Sequence, residues 1–313
     1  MRAELLASLR SGQINHKFHY DSLKQTQKWL ELHQAYSPSR TDPDCEATYQ
    51  QAFESVAGRD HDWSNLVGLG CGGGQKDSKL LETLRRSGKQ LCYTPCDVSV
   101  AMVLTATRTA TERIPGLASY PFVCDLGVSD DLAETIASLP AAQGPRLRLL
   151  TFFGMLPNFE PEAILPRLAR LVRQEDTLLL STNLAPGPDY EPGVRKILPL
   201  YDNSLTREWL MLFLTDLGIE AADGELAIAI AEHSGKLKRV EATFRFLRPR
   251  SLTVGMEQTL FREGETVRLF FSYRHTPAMV NELAKAVGLH VQEQWVTRSG
   301  EEGVFILNRS NEH

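Results

Sequence analysis

Two aspartates and a run of glycines are the residues here whose type and spacing suggest chemistry. The stretch from Asn65 to Leu81 is an apolar run that breaks at Gly68, Gly70, Gly72, Gly73 and Gly74 and then resumes at helical spacing. Removing the Cβ atoms from a turn lets its backbone take positive φ and approach a ligand closely. A helix starting near Asp77 turns its unpaired N–H groups and positive dipole end toward whatever sits on that turn. Such a turn favours a nucleotide-like ligand. Asp97 follows at the distance where a carboxylate accepts hydrogen bonds from both hydroxyls of a ribose, and Asp125, after the next apolar run, is placed to receive the amino group of an adenine. An acidic residue after a strand is more often a helix N-cap. Two of them at successive strand ends, after a glycine turn, shift the reading toward a nucleoside site.

These residues need a sheet to bring them to one edge. From Asn65 to Leu184 the sequence alternates strands (65–70, 90–96, 121–125, 146–153, 176–183) with amphipathic helices (77–87, 99–113, 130–139, 161–173). Apolar strands each followed by a helix imply a parallel sheet covered on both faces. Gly88, Gly116 and Pro140 fall where helices should stop. The repeat then fails at the proline- and glycine-rich link 183–193. A helix is expected over 203–217, antiparallel strands over 240–247, 251–262 and 265–273, then a helix over 277–287 and a closing hairpin of 290–297 with 303–308. The first 41 residues carry helical patches at 4–10 and 21–33 and a turn at Tyr36-Ser-Pro-Ser-Arg40, with a further helix over 44–56. The domains read as 1–41, an N-terminal part of a substrate subdomain; 42–186, a cofactor domain; 187–273, the rest of the substrate subdomain; and 274–313, a helix and hairpin completing the cofactor sheet.

The length of 313 residues suits one large domain with a smaller companion. A net charge of -5 argues against a nucleic-acid surface, and the short basic cluster at 236–239 does not reverse that. No apolar run reaches the ~20 residues of a spanning helix, and the N-terminus lacks a signal-peptide pattern, so a cytoplasmic protein with no membrane partner is expected. Five cysteines without a repeated Cys-x-x-Cys pair are expected as thiols. Cys71, Cys96 and Cys124 lie near successive strand ends, which leaves a zinc site conceivable, but their spacing fits no zinc signature and none is expected. Gly68-x-Gly70-x-x-Gly73 also satisfies a dinucleotide fingerprint, so an NAD-dependent oxidoreductase stands as the rival enzyme class, and a non-catalytic binder of the same fold as a third reading.

Leu69-Gly-Cys-Gly-Gly-Gly-Gln-Lys-Asp77 followed by Tyr93-Thr-Pro-Cys-Asp-Val-Ser99 resembles the S-adenosyl-L-methionine (SAM)-dependent histidine Nα-methyltransferases of ergothioneine biosynthesis. Tyr20-Asp21, Tyr36-Ser-Pro-Ser-Arg40, Phe153-Gly-Met-Leu-Pro-Asn158, Tyr201-Asp202 and Phe270-Phe-Ser-Tyr-Arg274 extend the likeness over most of the chain. The resemblance implies a Rossmann-like α/β fold, a seven-stranded class I methyltransferase domain with a smaller α+β substrate-binding subdomain. It implies cofactor contacts at Gly70, Gly72, Lys76 (to the methionyl carboxylate), Asp97 (ribose), and Asp125 with Leu126 (adenine). It implies acceptor contacts at Tyr36, Asn158, Tyr201, Phe270 and Ser272, with Tyr20, Tyr36 and Asn158 as the catalytic group. The acceptor would be the amine of a small amino acid or related metabolite.

Two positions depart from that pattern. The acidic residue that usually opens the glycine motif is Gly68, so one polar contact on the cofactor side is missing or replaced. The family's glutamate for the histidine imidazole falls on Phe270, whose ring accepts no such hydrogen bond, so histidine is disfavoured as the acceptor. The loop from Gly154 to Asn158 is also one residue shorter.

Overall fold

A computed structural model describes residues 2–37, 41–138, 147–233 and 237–310. The turn residues Pro38 to Arg40, the helix stop at Pro140 and the start of the basic cluster at Lys236 lie outside the described residues. The chain divides into two compact units, Met1–Ser37 with Ala185–Arg274, and Pro38–Leu184 with His275–His313.

The second unit is built on a seven-stranded sheet. Its strands are β1 (Trp63–Leu69), β2 (Cys92–Asp97), β3 (Phe122–Val123), β4 (Leu147–Phe153) and β5 (Thr177–Asn183), with β11 (Leu289–Val296) and β12 (Glu302–Arg309) from the end of the chain. The order is β11-β12-β5-β4-β1-β2-β3. β1 to β5 pair in parallel, and β12 runs antiparallel to β5. Side chains alternate between the two faces, as the period of two in a strand requires. Val67, Leu150, Leu178, Leu180 and Phe305 pack into one core, while Leu66, Leu149, Leu179, Val304 and Ile306 pack into another. The expected strands therefore form. β3 is cut to two residues, paired with Cys96 and Asp97 of β2, and just past it Cys124 donates its backbone N–H to Asp97 O at 3.0 Å.

The helix Gln75–Arg86 follows β1, and Val100–Arg113 follows β2 with Ser99 as its N-cap, the Ser99 hydroxyl accepting from Met102 N. Helices Leu132–Ser138 and Pro161–Leu171 follow β3 and β4. Pro43–Gly58 precedes β1, with Pro43 at a helix N-terminus where its missing N–H costs nothing. Below β4 and β5, Arg148 Nε donates to Asp176 at 3.0 Å and Arg148 Nη2 to Leu171 O at 2.6 Å, within a buried ion pair.

The first unit holds helices Arg2–Ser11, Leu23–Tyr36 and Ser204–Asp216, the short helices Tyr190–Lys196 and Leu198–Tyr201, and antiparallel strands. β6 (Gly224–Glu232), β7 (Lys238–Phe246) and β10 (Thr266–Arg274) form one sheet in the order β10-β7-β6. β8 (Arg250–Val254) pairs with β9 (Glu257–Phe261). Two expectations are corrected here. The single strand expected over 251–262 is a hairpin, reversed at Gly255 with φ +67°. The stretch read as a link up to 193 already enters a helix at Tyr190. Leu9, Phe18, Trp209, Phe213, Phe244, Phe246 and Phe270 make this unit's core.

Candidate active site

The turn after β1 is a bend of three left-handed glycines. Gly70, Gly72 and Gly74 have φ of +67°, +51° and +74°, a region costly for residues with a Cβ. Gly68 does not share that conformation. It lies inside β1, and it is glycine for space: a Cβ there would stand 2.2 Å from Asp77 Oδ2 and 3.3 Å from the Tyr93 ring. The Asp77 carboxylate fills that gap. It accepts from the Tyr93 hydroxyl at 2.7 Å and from Thr151 Oγ1 at 2.7 Å. Burial raises its pKa to about 6, against the lowering effect of those two hydroxyls and of Lys76. The space that a side chain at position 68 would need is thus taken by a carboxylate from the first turn of the following helix.

That helix begins at Gly74 with no side-chain cap, which leaves its first N–H groups for the turn. Asp97 ends β2 beside it. Its Oδ2 accepts from Gly72 N at 3.1 Å and its Oδ1 from Ser99 N at 3.0 Å. Burial raises its pKa, opposed by these backbone donors. An ionised carboxylate offers about four lone-pair sites, so acceptor capacity is left for hydroxyl groups. Asp125 follows the Cys124 N to Asp97 O bond, on the same sheet edge, and its Oδ1 accepts from Gly127 N at 2.9 Å. Leu126 is buried in the core beneath. Gly70, Gly72, Asp97, Asp125 and Leu126 are therefore brought to the carboxyl edge of β1, β2 and β3.

Two features of this edge were not legible in the sequence. The Met155 side chain rests on the bare Cα of Gly70, with Cγ 2.7 Å from where a Cβ would stand. It is an unbranched side chain with freely turning torsions, the type that yields to a ligand most readily. Lys76, in turn, sits in a buried network. Its Nζ is 3.1 Å from Glu302 Oε1 and 2.5 Å from the Tyr49 hydroxyl, and it lies over the Tyr49 ring. Tyr49 also donates to Glu302 and bonds Ser181 Oγ, which accepts from Gly154 N at 2.9 Å.

Asn158 ends a 3-10 turn after β4, where its N–H bonds Met155 O at 3.0 Å. The other expected acceptor residues belong to the first unit. Tyr201 and Ser272 share a hydroxyl hydrogen bond of 2.8 Å, and Arg274 Nη2 donates to the Tyr201 hydroxyl at 2.9 Å. Phe270, 8% exposed, stacks on His16 with ring centroids 5.0 Å apart and meets the edge of Trp209 at 5.8 Å and Tyr201 at 6.1 Å. Tyr20 lies between Trp29 and Trp209. Tyr201, Phe270 and Ser272 thus form one cluster, with Tyr20 one ring away. Tyr36 is a half-exposed residue at the end of its helix and joins no such contact among the described residues. Trp209 and His16 went unread in the sequence as site residues, since a core tryptophan carries no signal of its own.

Cys96 and Cys124 bring their sulfurs to 2.9 Å, both buried, while Cys71 points its thiol at Gly72 O. The sheet order also bears on the dinucleotide alternative. A doubly wound dinucleotide fold has a second parallel half beyond the switch point, whereas here β12 enters antiparallel between β5 and β11. No helix among the described residues is long and apolar enough to cross a membrane.

Comparison with known proteins places these observations in a family. The chain is 25% identical over 245 residues to the N-methyltransferase imqF of Aspergillus flavus, covering 76% of this chain and 66% of the relative. It is 24% identical over 236 residues to the N-methyltransferase fsqC of Aspergillus fumigatus, covering 74% and 62%. The matches thus span somewhat less than two thirds of each relative. Among solved structures, the magnesium protoporphyrin IX methyltransferase of Synechocystis PCC 6803 aligns with 94% of this chain and 97% of its own at a TM-score of 0.44 and 15% identity. The family described as histidine-specific, SAM-dependent methyltransferases matches residues 1–309, and the chain belongs to it.

Proposed function

We propose that this chain transfers the methyl group of SAM to the amine of a small amino acid or related metabolite whose side chain is apolar or aromatic rather than an imidazole. The observation that supports this reading is Phe270. Where a histidine-binding site calls for a carboxylate, this chain has a ring packed among His16, Tyr201 and Trp209. A wall of rings stabilises an apolar side chain by desolvation and leaves an imidazole N–H without a partner.

The cofactor supplies a methyl group already activated on a sulfonium. What is left to the protein is positioning, water exclusion and custody of the amine's proton. Gly70 and Gly72 would admit the cofactor's backbone-hugging portion, Asp97 its ribose, Asp125 and Leu126 its adenine, and Lys76 its carboxylate. The fit is chemical: a bare-backbone bend, carboxylate lone pairs and an ammonium group. On the acceptor side, Tyr201, held by Ser272 and Arg274, would bind a carboxylate through a hydroxyl polarised by the guanidinium. Tyr20, Tyr36 and Asn158 would orient the amine lone pair and pass its proton to solvent. The chain would act on a small molecule rather than nucleic acid, in keeping with its net charge of -5.

The test is incubation of the protein and SAM with the proteinogenic amino acids and their simple amines, read by mass spectrometry. The expected products are N-methylated aromatic or aliphatic amino acids, with histidine poor. A protein that binds the cofactor yet methylates no amine would overturn the proposal, and so would one that prefers histidine.

A further inference from the structure

The Lys76 ammonium has a partner before any ligand arrives. Glu302 opens β12, and its side chain is 4% exposed against 22% for Lys76. Burial alone would raise the Glu302 pKa. The nearby Lys76 charge and the Tyr49 hydroxyl overcome this and hold it below the usual carboxylate range, so the group is an anion at neutral pH. Two further donors hold it: Tyr49 donates to Oε1 and the Cys45 thiol to Oε2 at 3.4 Å. Glu302 is therefore fixed, while Lys76, on the first turn of its helix, is the more exposed member. Of the three ammonium protons, the contacts to Glu302 and Tyr49 account for two.

From this arrangement we propose that Glu302 is an internal rival of the cofactor's carboxylate for Lys76, which loosens the grip on the methionyl end and so favours product release. The proposal rests on Lys76 as the carboxylate partner in the reading above. A carboxylate arriving at Nζ meets the ammonium together with a fixed anion already 3.1 Å from it. The like-charge repulsion survives because the anion is buried and screened little by salt. Glu302 touches no reacting atom, so its role is to set the pose and net charge of the lysine.

Calorimetry with S-adenosylhomocysteine and with decarboxylated S-adenosylhomocysteine tests this without turnover. Glu302→Gln keeps shape and hydrogen bonding but removes the charge. It should tighten S-adenosylhomocysteine about tenfold, as expected for removing one nearby like charge at moderate effective dielectric, and should leave the decarboxylated ligand unchanged. Glu302→Asp, which withdraws the charge by one methylene, should give a smaller gain with the same ligand selectivity, and serves if the glutamine variant does not fold. Cys45→Ala removes a neutral partner of Glu302 and should bind both ligands as the parent does. Lys76→Met should weaken S-adenosylhomocysteine and cancel the gain in the Lys76→Met/Glu302→Gln double variant. An unchanged or weakened affinity in both Glu302 variants, or equal tightening of both ligands, overturns the rivalry. If Lys76→Met itself leaves S-adenosylhomocysteine binding intact, the lysine's assigned role falls, and the rivalry falls with it.

Discussion

Replacing Asp77 by asparagine should change how stability responds to pH, and the size of the change follows from where the carboxylate sits. Asp77 is 2% exposed, lies in the gap left by Gly68, and its carboxylate accepts from the Tyr93 and Thr151 hydroxyls. Its pKa is raised from 3.8 to about 6, burial being the largest cause. A raised carboxyl pKa means that the folded state holds the proton more tightly than the unfolded one. Between those two values the native protein binds more protons, so its unfolding free energy falls as pH rises. At 1.36 kcal/mol per unit, a shift of about two units amounts to roughly 3 kcal/mol, stability that is present below pH ~4 and lost by pH ~7. Asparagine has nearly the same shape; one hydroxyl keeps donating to its amide oxygen and the other can turn to accept from its NH2 group. Urea unfolding of both proteins across that range isolates the effect, because the difference between them cancels every shared titration, including that of His19, which burial lowers to about 4. The variant should gain on the parent by roughly 3 kcal/mol from acid to neutral pH. Parallel profiles would refute the placement of an ionised carboxylate under the glycine turn.

Other substitutions probe the remaining parts. Gly74→Ala combines φ +74° with a Cβ only 2.6 Å from the Ala106 Cα, so thermal unfolding should show a loss of more than about 1–2 kcal/mol. Arg148→Met strands the buried Asp176 carboxylate and should cost about 3–5 kcal/mol in denaturant unfolding. Asp97→Asn replaces acceptor capacity by a donor and should weaken S-adenosylhomocysteine in calorimetry by about tenfold or more, with a smaller effect on folding. Phe270→Glu should raise affinity for histidine measured by the same method, and an unchanged value would dissociate position 270 from the acceptor.

The first strand, its turn and its helix were legible because three local signals coincide there: an apolar run, glycines and a resumed amphipathic period. The same holds for the βα units up to Asn183 and for the closing hairpin, whose turn residues at 298–302 separate two alternating runs. β6 was missed although Leu226, Ile228 and Ile230 alternate with alanines, because alanine blurs the contrast on which a period of two depends. The 251–262 stretch looked continuous because Gly255 alone marks its reversal, and an isolated glycine in a strand also suggests a bulge. Within the site, Asp97 and Asp125 could be read from local order. The seating of Asp77 against Gly68 could not, since it depends on Tyr93 and Thr151 arriving from neighbouring strands to donate to its carboxylate. Phe270 was legible only as a departure from a family pattern, and its ring neighbours come from segments more than 50 residues away in the chain.

Lys76 and Glu302 stand 226 positions apart in sequence. A nascent chain emerging from a ribosome has made its glycine turn long before β12 appears, and until then the lysine beside that turn lacks its resident anion. Closure of so distant a pairing is slow relative to the local βα units. The resident anion therefore reaches the lysine only when β12 closes on β5, so the edge meets its internal rival late in folding, after the glycine turn and the early strands are in place.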